Sequence, residues 1–124
     1  MNELSAVKMV VKRSRFFAHL YKLDNPGEIE EIIKIHRREY KKACHHCYAM
    51  RFFDGGNEIK SFKDDGEVGH PGRVLMEILE KYELDAHALV VSRIFGGTKL
   101  GVGGVSRAFR EAGEFAIKNW REKD

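Results

Sequence analysis

The sequence predicts an α+β domain: a two-layer β-α-β-β-α-β-α arrangement with a mixed sheet and helices on one face. Three observations carry this reading. Short segments rich in Val, Ile, Phe and Tyr alternate with stretches whose apolar residues recur at helical spacing. Turn chemistry, in Asn25-Pro26-Gly27 and Asp54-Gly55-Gly56-Asn57, punctuates them. A chain of 124 residues with 43% hydrophobic and 33% charged content suits one globular domain with a core of its own, spanning residues 1–124.

The first extended pieces are residues 7–12 and 15–22, either one bent strand or two divided at Arg13 and Ser14. After the Pro26 turn, Ile29, Ile32, Ile33, His36, Tyr40 and Ala43 share one face of a helix. Lys34, Arg37, Arg38, Lys41 and Lys42 take the opposite face, while Glu28, Glu30 and Glu31 sit early, as the helix dipole favours. Tyr48 to Phe53 reads as a strand, returning after the glycine turn through residues 58–62. Pro71 opens a second helix with Val74, Leu75, Ile78, Leu79 and Tyr82 inward, ending near Glu83. Ala88 to Phe95 is an almost continuous apolar run, the signature of a strand covered on both faces, which begins at about His87. Val105, Ala108, Phe109, Ala112 and Ala116 mark a last helix whose small residues permit close packing, with Phe109, Phe115 and Trp120 as larger contacts. Phe16, Phe17, Phe52 and Phe62 are more aromatic surface than one covered sheet face requires, so an open face for a partner or a second copy is a further expectation.

A net charge of +3 and a pI near 8.9 tilt the protein slightly toward acidic partners. No apolar run approaches the roughly 20 residues that cross a bilayer, and the N-terminus has no secretory pattern. The expectation is a cytoplasmic protein with no membrane partner. Cys44-His45-His46-Cys47 sets four soft ligands in a row, but neighbours on a strand point to opposite faces and no second ligand pair follows. The Cys-x-x-Cys leads into a strand rather than opening a redox helix. No metal and no cofactor is expected.

Two loops carry chemistry. Between Arg93 and Arg107 lie Gly96, Gly97, Gly101, Gly103 and Gly104, five glycines in nine residues, with Lys99 among them. Glycine admits a close backbone approach, and a helix N-terminus offers unpaired N–H groups, so this is a candidate anion cradle. It is neither a phosphate-binding P-loop nor a dinucleotide fingerprint, because the glycine spacing fits neither. The second loop places Asp64, Asp65 and Glu67 within four residues. Such acids serve proton transfer, hold magnesium, cap the next helix, or pair with Arg73, Arg93 or Lys99. The basic face of the first helix suits RNA or an acidic protein, although no aromatics are interleaved for base stacking.

Four segments together resemble the IMPACT/YigZ-like family: Lys12-Arg13-Ser14-Arg15-Phe16, His45-His46-Cys47-Tyr48-Ala49, Asp64-Asp65-Gly66-Glu67, and the run from Arg93 through Ser106-Arg107-Ala108-Phe109. The resemblance implies a fold similar to the second domain of ribosomal protein S5. Eukaryotic members are similar to regulators of translation that oppose a starvation-sensing initiation-factor kinase, and nucleic-acid binding is suggested for bacterial ones. Larger relatives add an RWD or a ferredoxin-like domain, so the expectation here is the core domain alone. After Glu67 the family usually continues Pro-Ser-Gly-Thr-Ala-Gly, whereas this chain has the shorter Val68-Gly69-His70-Pro71-Gly72, and Cys44 replaces a common Thr or Ser.

The leading expectation is therefore a non-catalytic binding or regulatory domain in translation. Arg93, Gly96, Gly97, Lys99, Gly101, Gly103, Gly104 and Arg107, with Asp64, Asp65, Glu67, His45 and Arg15, would contact RNA, a ribosome-associated or acidic protein, or a phosphate-bearing ligand. The alternative is a small enzyme acting on a phosphorylated metabolite or nucleotide, with the acidic loop as base or magnesium ligand and His45 as acid or base. Binding leads because no nucleophile with an activating partner is visible.

Overall fold

A computed structural model describes residues 1–123. In chain order the elements are β1 (Asn2–Val11), β2 (Ser14–Lys22), α1 (Glu28–Glu39), β3 (His45–Asp54), β4 (Asn57–Lys63), α2 (Pro71–Lys81), β5 (His87–Ile94) and α3 (Gly101–Arg121). The strands form one 5-stranded sheet in the order β1-β2-β5-β3-β4. The α+β class is as the sequence predicts.

Two details of the expected architecture are corrected. Every neighbouring pair is antiparallel, so the sheet is not mixed. The helical connections β2-α1-β3 and β4-α2-β5 do return parallel, but each skips a place, and an antiparallel strand fills the gap. The helices also cover both faces. Ala18, Cys47, Ala49, Leu89 and Val91 form a core with α2 and α3, while Tyr21, Met50, Ala88 and Val90 pack on the other face against Ile29, Ile32 and Ile33 of α1. The two crossovers run in opposite lateral directions on oppositely directed strands, so equal handedness would put α1 and α2 on the same face. They lie on opposite faces, hence the connections have opposite hands and one departs from the usual right-handed preference.

β1 and β2 are separate strands, joined at Lys12 and Arg13, whose φ values are +44° and +71°. Such a hairpin normally carries Asn-Gly or Gly, and two cations in left-handed conformation are a local strain. Gly55 and Gly56, at φ +57° and +87°, turn the β3–β4 hairpin in the expected manner. Of the aromatic residues in doubt, Phe16 is buried, Phe17 is half-buried and stacked on Tyr40 with ring centroids 4.4 Å apart, Phe52 is half-buried, and Phe62 is exposed. Phe115 is 44% exposed rather than a packing contact of α3. No described helix is long and apolar enough to cross a membrane.

Two glycines differ in what they protect. A Cβ on Gly113 would lie 2.7 Å from Ile78 Cδ1, a flexible side-chain tip. One on Gly96 would run into the Arg13 carbonyl and the Ser14 amide, which are backbone. Gly113→Ala should stay within about 1 kcal/mol of the parent, since helix propensity offsets the crowding. Gly96→Ala should cost at least about 2 kcal/mol. Urea unfolding of the two variants checks the contrast.

Candidate functional site at the cationic end of the sheet

The β1–β2 turn, the C-terminal end of β5, the N-terminal end of β3, the exit of α1 and the entry of α3 all lie at one end of the sheet. The pairings Arg15 with Ile94 and His45 with Arg93 bring these segments together. Most of the expected site residues gather here, and the acidic and glycine-rich loops meet.

The junction is built on Arg93, which is 6% exposed. Its Nη1 donates to Glu67 Oε2 at 2.9 Å and its Nη2 to Ser14 Oγ at 3.3 Å, with the guanidinium between the rings of Phe16 and Phe95. The expectation of Arg93 as a free ligand contact is corrected: the side chain holds the fold. Its Nε is buried without a partner among the described residues. Ser14 Oγ also accepts from the Gly96 amide at 3.3 Å, which pins the start of the glycine loop.

Each expected carboxylate has structural work. Asp64 Oδ1 accepts from the Gly72 amide at 2.8 Å, serving α2 where its own N-cap, His70, supplies no side-chain bond. Asp65 Oδ2 accepts from the His46 amide at 2.8 Å, securing the start of β3. Glu67, its side chain 4% exposed, pairs with Arg93 and lies 3.6 Å from His45 Nε2. His45 Nδ1 donates to the Asp65 carbonyl at 2.9 Å, so its ring orientation is fixed. Gly69 then lies against the first two turns of α3, where a Cβ would meet the Val102 carbonyl at 2.9 Å and the Ser106 amide at 3.2 Å. Among the described residues no cluster of His, Cys, Asp and Glu could hold a metal ion.

The glycine loop is shorter than its sequence suggests, because Gly101, Gly103 and Gly104 belong to the first turn of α3. Gly97 and Gly101 have φ of +90° and +74°, positions that favour glycine. Leu100 offers no capping side chain, so the first turn presents bare N–H groups. Beside it, Val68, Phe95 and Val102 are 49%, 47% and 62% exposed and border a depression of about 270 Å³ reached by Lys99. Lys99, Arg107, Arg15, Lys12, Arg13, Lys41 and Lys42 are all exposed at this end, and none has a described carboxylate partner.

Under α1, on the opposite face, lies a polar chain that sequence reasoning missed. Glu3 Oε1 lies 3.0 Å from His19 Nδ1, and His19 Nε2 2.7 Å from the Tyr40 hydroxyl. Tyr21 Oη lies 2.9 Å from His36 Nε2, and Ser92 Oγ bridges His36 Nδ1 at 2.8 Å and His46 Nδ1 at 2.7 Å. Burial pushes His36 down to about 3 and holds His46 below the ordinary histidine range. The available signal was a polar residue on the apolar face of each element: His19, His36 and Ser92.

The fold and this end define a small α+β domain, with an uncapped helix N-terminus and exposed cations around an acidic loop held by internal hydrogen bonds and an ion pair. The chain belongs to the family of the Impact N-terminal domain, whose model matches residues 12–117. It is 36% identical over 111 residues to IMPACT family member YvyE of Bacillus subtilis, covering 88% of this chain and 50% of that protein. It is 31% identical over 101 residues to IMPACT family member YigZ of Escherichia coli, covering 80% and 50%. A crystal structure described as that of a hypothetical protein superposes with a TM-score of 0.83 at 29% identity, covering 92% of this chain and 56% of that one. The two-domain translational regulator Yih1 shares the fold, with a TM-score of 0.60 at 18% identity over 96% of this chain and 46% of that one. The chain thus spans about half the length of the relatives it matches.

Glu67→Gln strands the Arg93 charge in the interior and should lower stability by about 3–5 kcal/mol, whereas replacing both partners with apolar residues should cost less. Urea denaturation separates the two cases. The unfolded chain protonates its histidines near 6.5, while His36 in the fold resists until about 3, so the unfolded state binds more protons between these values. Stability should therefore fall as pH drops from 6.5 toward 3. Unfolding midpoints at a series of pH values check this, and His36→Gln should flatten the slope.

Proposed function

We propose that this domain is a non-catalytic regulatory module of translation, acting in the cytoplasm, that grips the phosphate backbone of RNA with the cationic end of its sheet. One observation carries the reading: Lys12, Arg13, Arg15, Lys41, Lys42, Lys99 and Arg107 converge on that end with no carboxylate partner among the described residues. Arginines and lysines free of internal partners supply the sequence-independent part of RNA affinity. The uncapped first turn of α3 adds backbone N–H donors for a phosphate. Phe95, half-exposed beside Lys99, offers a ring on which a base can stack, which the basic face of α1 lacks.

The relatives support the same direction. Yih1 is described as a translational regulator, and this chain shares its fold. Binding is favoured over chemistry because Asp64 and Asp65 each give one oxygen to a backbone amide and Glu67, its side chain buried, is committed to Arg93. A phosphorylated metabolite would find donors at the glycine loop but no free acid or base beside them.

Fluorescence anisotropy of a single-stranded RNA, titrated across a range of salt, tests the proposal. Affinity should fall steeply as salt rises, and Lys99→Ala and Arg107→Ala should each lower the log–log slope by about one. Arg110→Ala should leave the slope unchanged, because Arg110 is already paired with Glu77 at 2.7 Å. A salt-independent affinity, or binding to an acidic protein in preference to RNA, would overturn it.

A further inference from the structure

A second groove lies on the opposite face of the sheet, between α1 and the start of β3, with a volume of about 290 Å³. Its floor is His46 and Tyr48, and its rim carries Lys34, Arg37 and Lys63. None of these three cations has a described carboxylate partner. Two acids also face the groove: Glu30, and Asp65, one oxygen of which is already committed to the His46 amide.

The polarity of the buried hydrogen-bond chain decides what the floor presents. Glu3, as a carboxylate, only accepts, so His19 Nδ1 carries the proton toward it at 3.0 Å. His19 Nδ1 is then no acceptor for the Tyr21 hydroxyl 3.5 Å away, and the proton of that buried hydroxyl has one place left to go, His36 Nε2 at 2.9 Å. His36, kept neutral by burial, must carry its single proton on Nδ1 and donate it to Ser92 Oγ at 2.8 Å. Ser92, having accepted, donates onward to His46 Nδ1 at 2.7 Å. Neutral His46 is left with its proton on Nε2, which has no partner among the described residues and is not sealed from solvent. The reverse direction would leave the Tyr21 proton buried without an acceptor, a cost of about 1–3 kcal/mol.

We propose that this groove is a binding site for a single phosphate group, received by the Nε2–H of His46 and flanked by Lys34, Arg37 and Lys63. A fixed N–H donor beside cations is the arrangement an anion needs, and charge-assisted bonds from such groups are the strong ones. Tyr48, half-buried at the floor, gives an attached sugar or base an aromatic wall. The shared chemistry is a phosphate ester, whether from a small phosphorylated molecule or from an RNA backbone. The site is separate from Lys99 and Arg107 and does not require RNA to bind there.

Histidine-labelled ¹⁵N NMR tests this on the intact chain. His19 and His36 should show the Nδ1–H tautomer and His46 the Nε2–H tautomer. Inorganic phosphate should then shift the His46 signals saturably. Lys34→Ala with Arg37→Ala, both surface changes that leave the core intact, should weaken that binding at least about tenfold, while Lys99→Ala should leave it unchanged. A ribonucleoside monophosphate and an RNA oligomer without a terminal phosphate serve as competitors, and whichever displaces phosphate at His46 identifies the source. The Nδ1–H tautomer at His46, unmoved His46 signals, or equal binding by the double variant would overturn the proposal.

Discussion

The buried ion pair between Arg93 and Glu67 is the constraint on which one end of the molecule depends. Both side chains are almost withdrawn from water, at 7% and 4% exposure, so each charge needs the other. With Glu67 fixed, the loop before it is drawn into register, and Asp64 and Asp65 reach the amides of α2 and β3. The residues after it are carried against α3. Arg93 also reaches Ser14, which holds the amide of Gly96. A single guanidinium thus ties the acidic loop, the β1–β2 turn and the glycine loop to the end of the central strand.

That strand does more than fill the core. Along β5, Leu89, Val91 and Arg93 face α2 and α3, while Ala88, Val90 and Ser92 face α1. Its last two buried residues are polar and point to opposite faces, as strand alternation requires. Arg93 organises the acidic loop on one side, and Ser92 links His36 to His46 on the other. Two polar hubs one residue apart place a structured surface on each face of the same sheet end.

Most of the element order was legible in the sequence because period and turn chemistry are local. The spacing of Ile29, Ile32 and Ile33 and of Val105, Ala108 and Ala112 reports burial directly, and Gly55-Gly56 specifies its own hairpin. The apolar run of β5 signalled a strand covered on both faces, but the sheet order and the placing of α1 opposite α2 and α3 were not legible, since crossover hand and strand insertion are properties of the whole chain. The Lys12–Arg13 turn was obscure for a different reason: its positive φ values are not favoured by its own residues, and its close approach to Gly96 is a long-range contact. At the site, glycines and charges marked the right segments, but sequence cannot distinguish a free arginine from a buried one. Arg93 and Arg107 look alike in the motif, and only the first is enclosed by Phe16, Phe95 and Glu67.

This distinction changes how the charge of the molecule acts. The net charge of +3 suggests a weak preference for anions. Yet the acids of the Asp64-Asp65-Gly66-Glu67 stretch are engaged with backbone amides and with Arg93, and Glu67 is sealed from water. Elsewhere, lysines and arginines such as Lys60, Lys81 and Arg110 are matched to carboxylates. Of the cations without a described carboxylate partner, Lys12, Arg13, Arg15, Lys41, Lys42, Lys99 and Arg107 gather at this end of the sheet and Lys34, Arg37 and Arg38 lie along α1, so the field there is more positive than the total implies. An anion approaching this end meets these cations with the acidic loop already committed, although Glu39 lies beside Arg15, Lys41 and Lys42 and Glu111 beside Lys12 and Arg107. Gathering several unpaired cations at one end lets a protein of modest net charge present a locally basic surface.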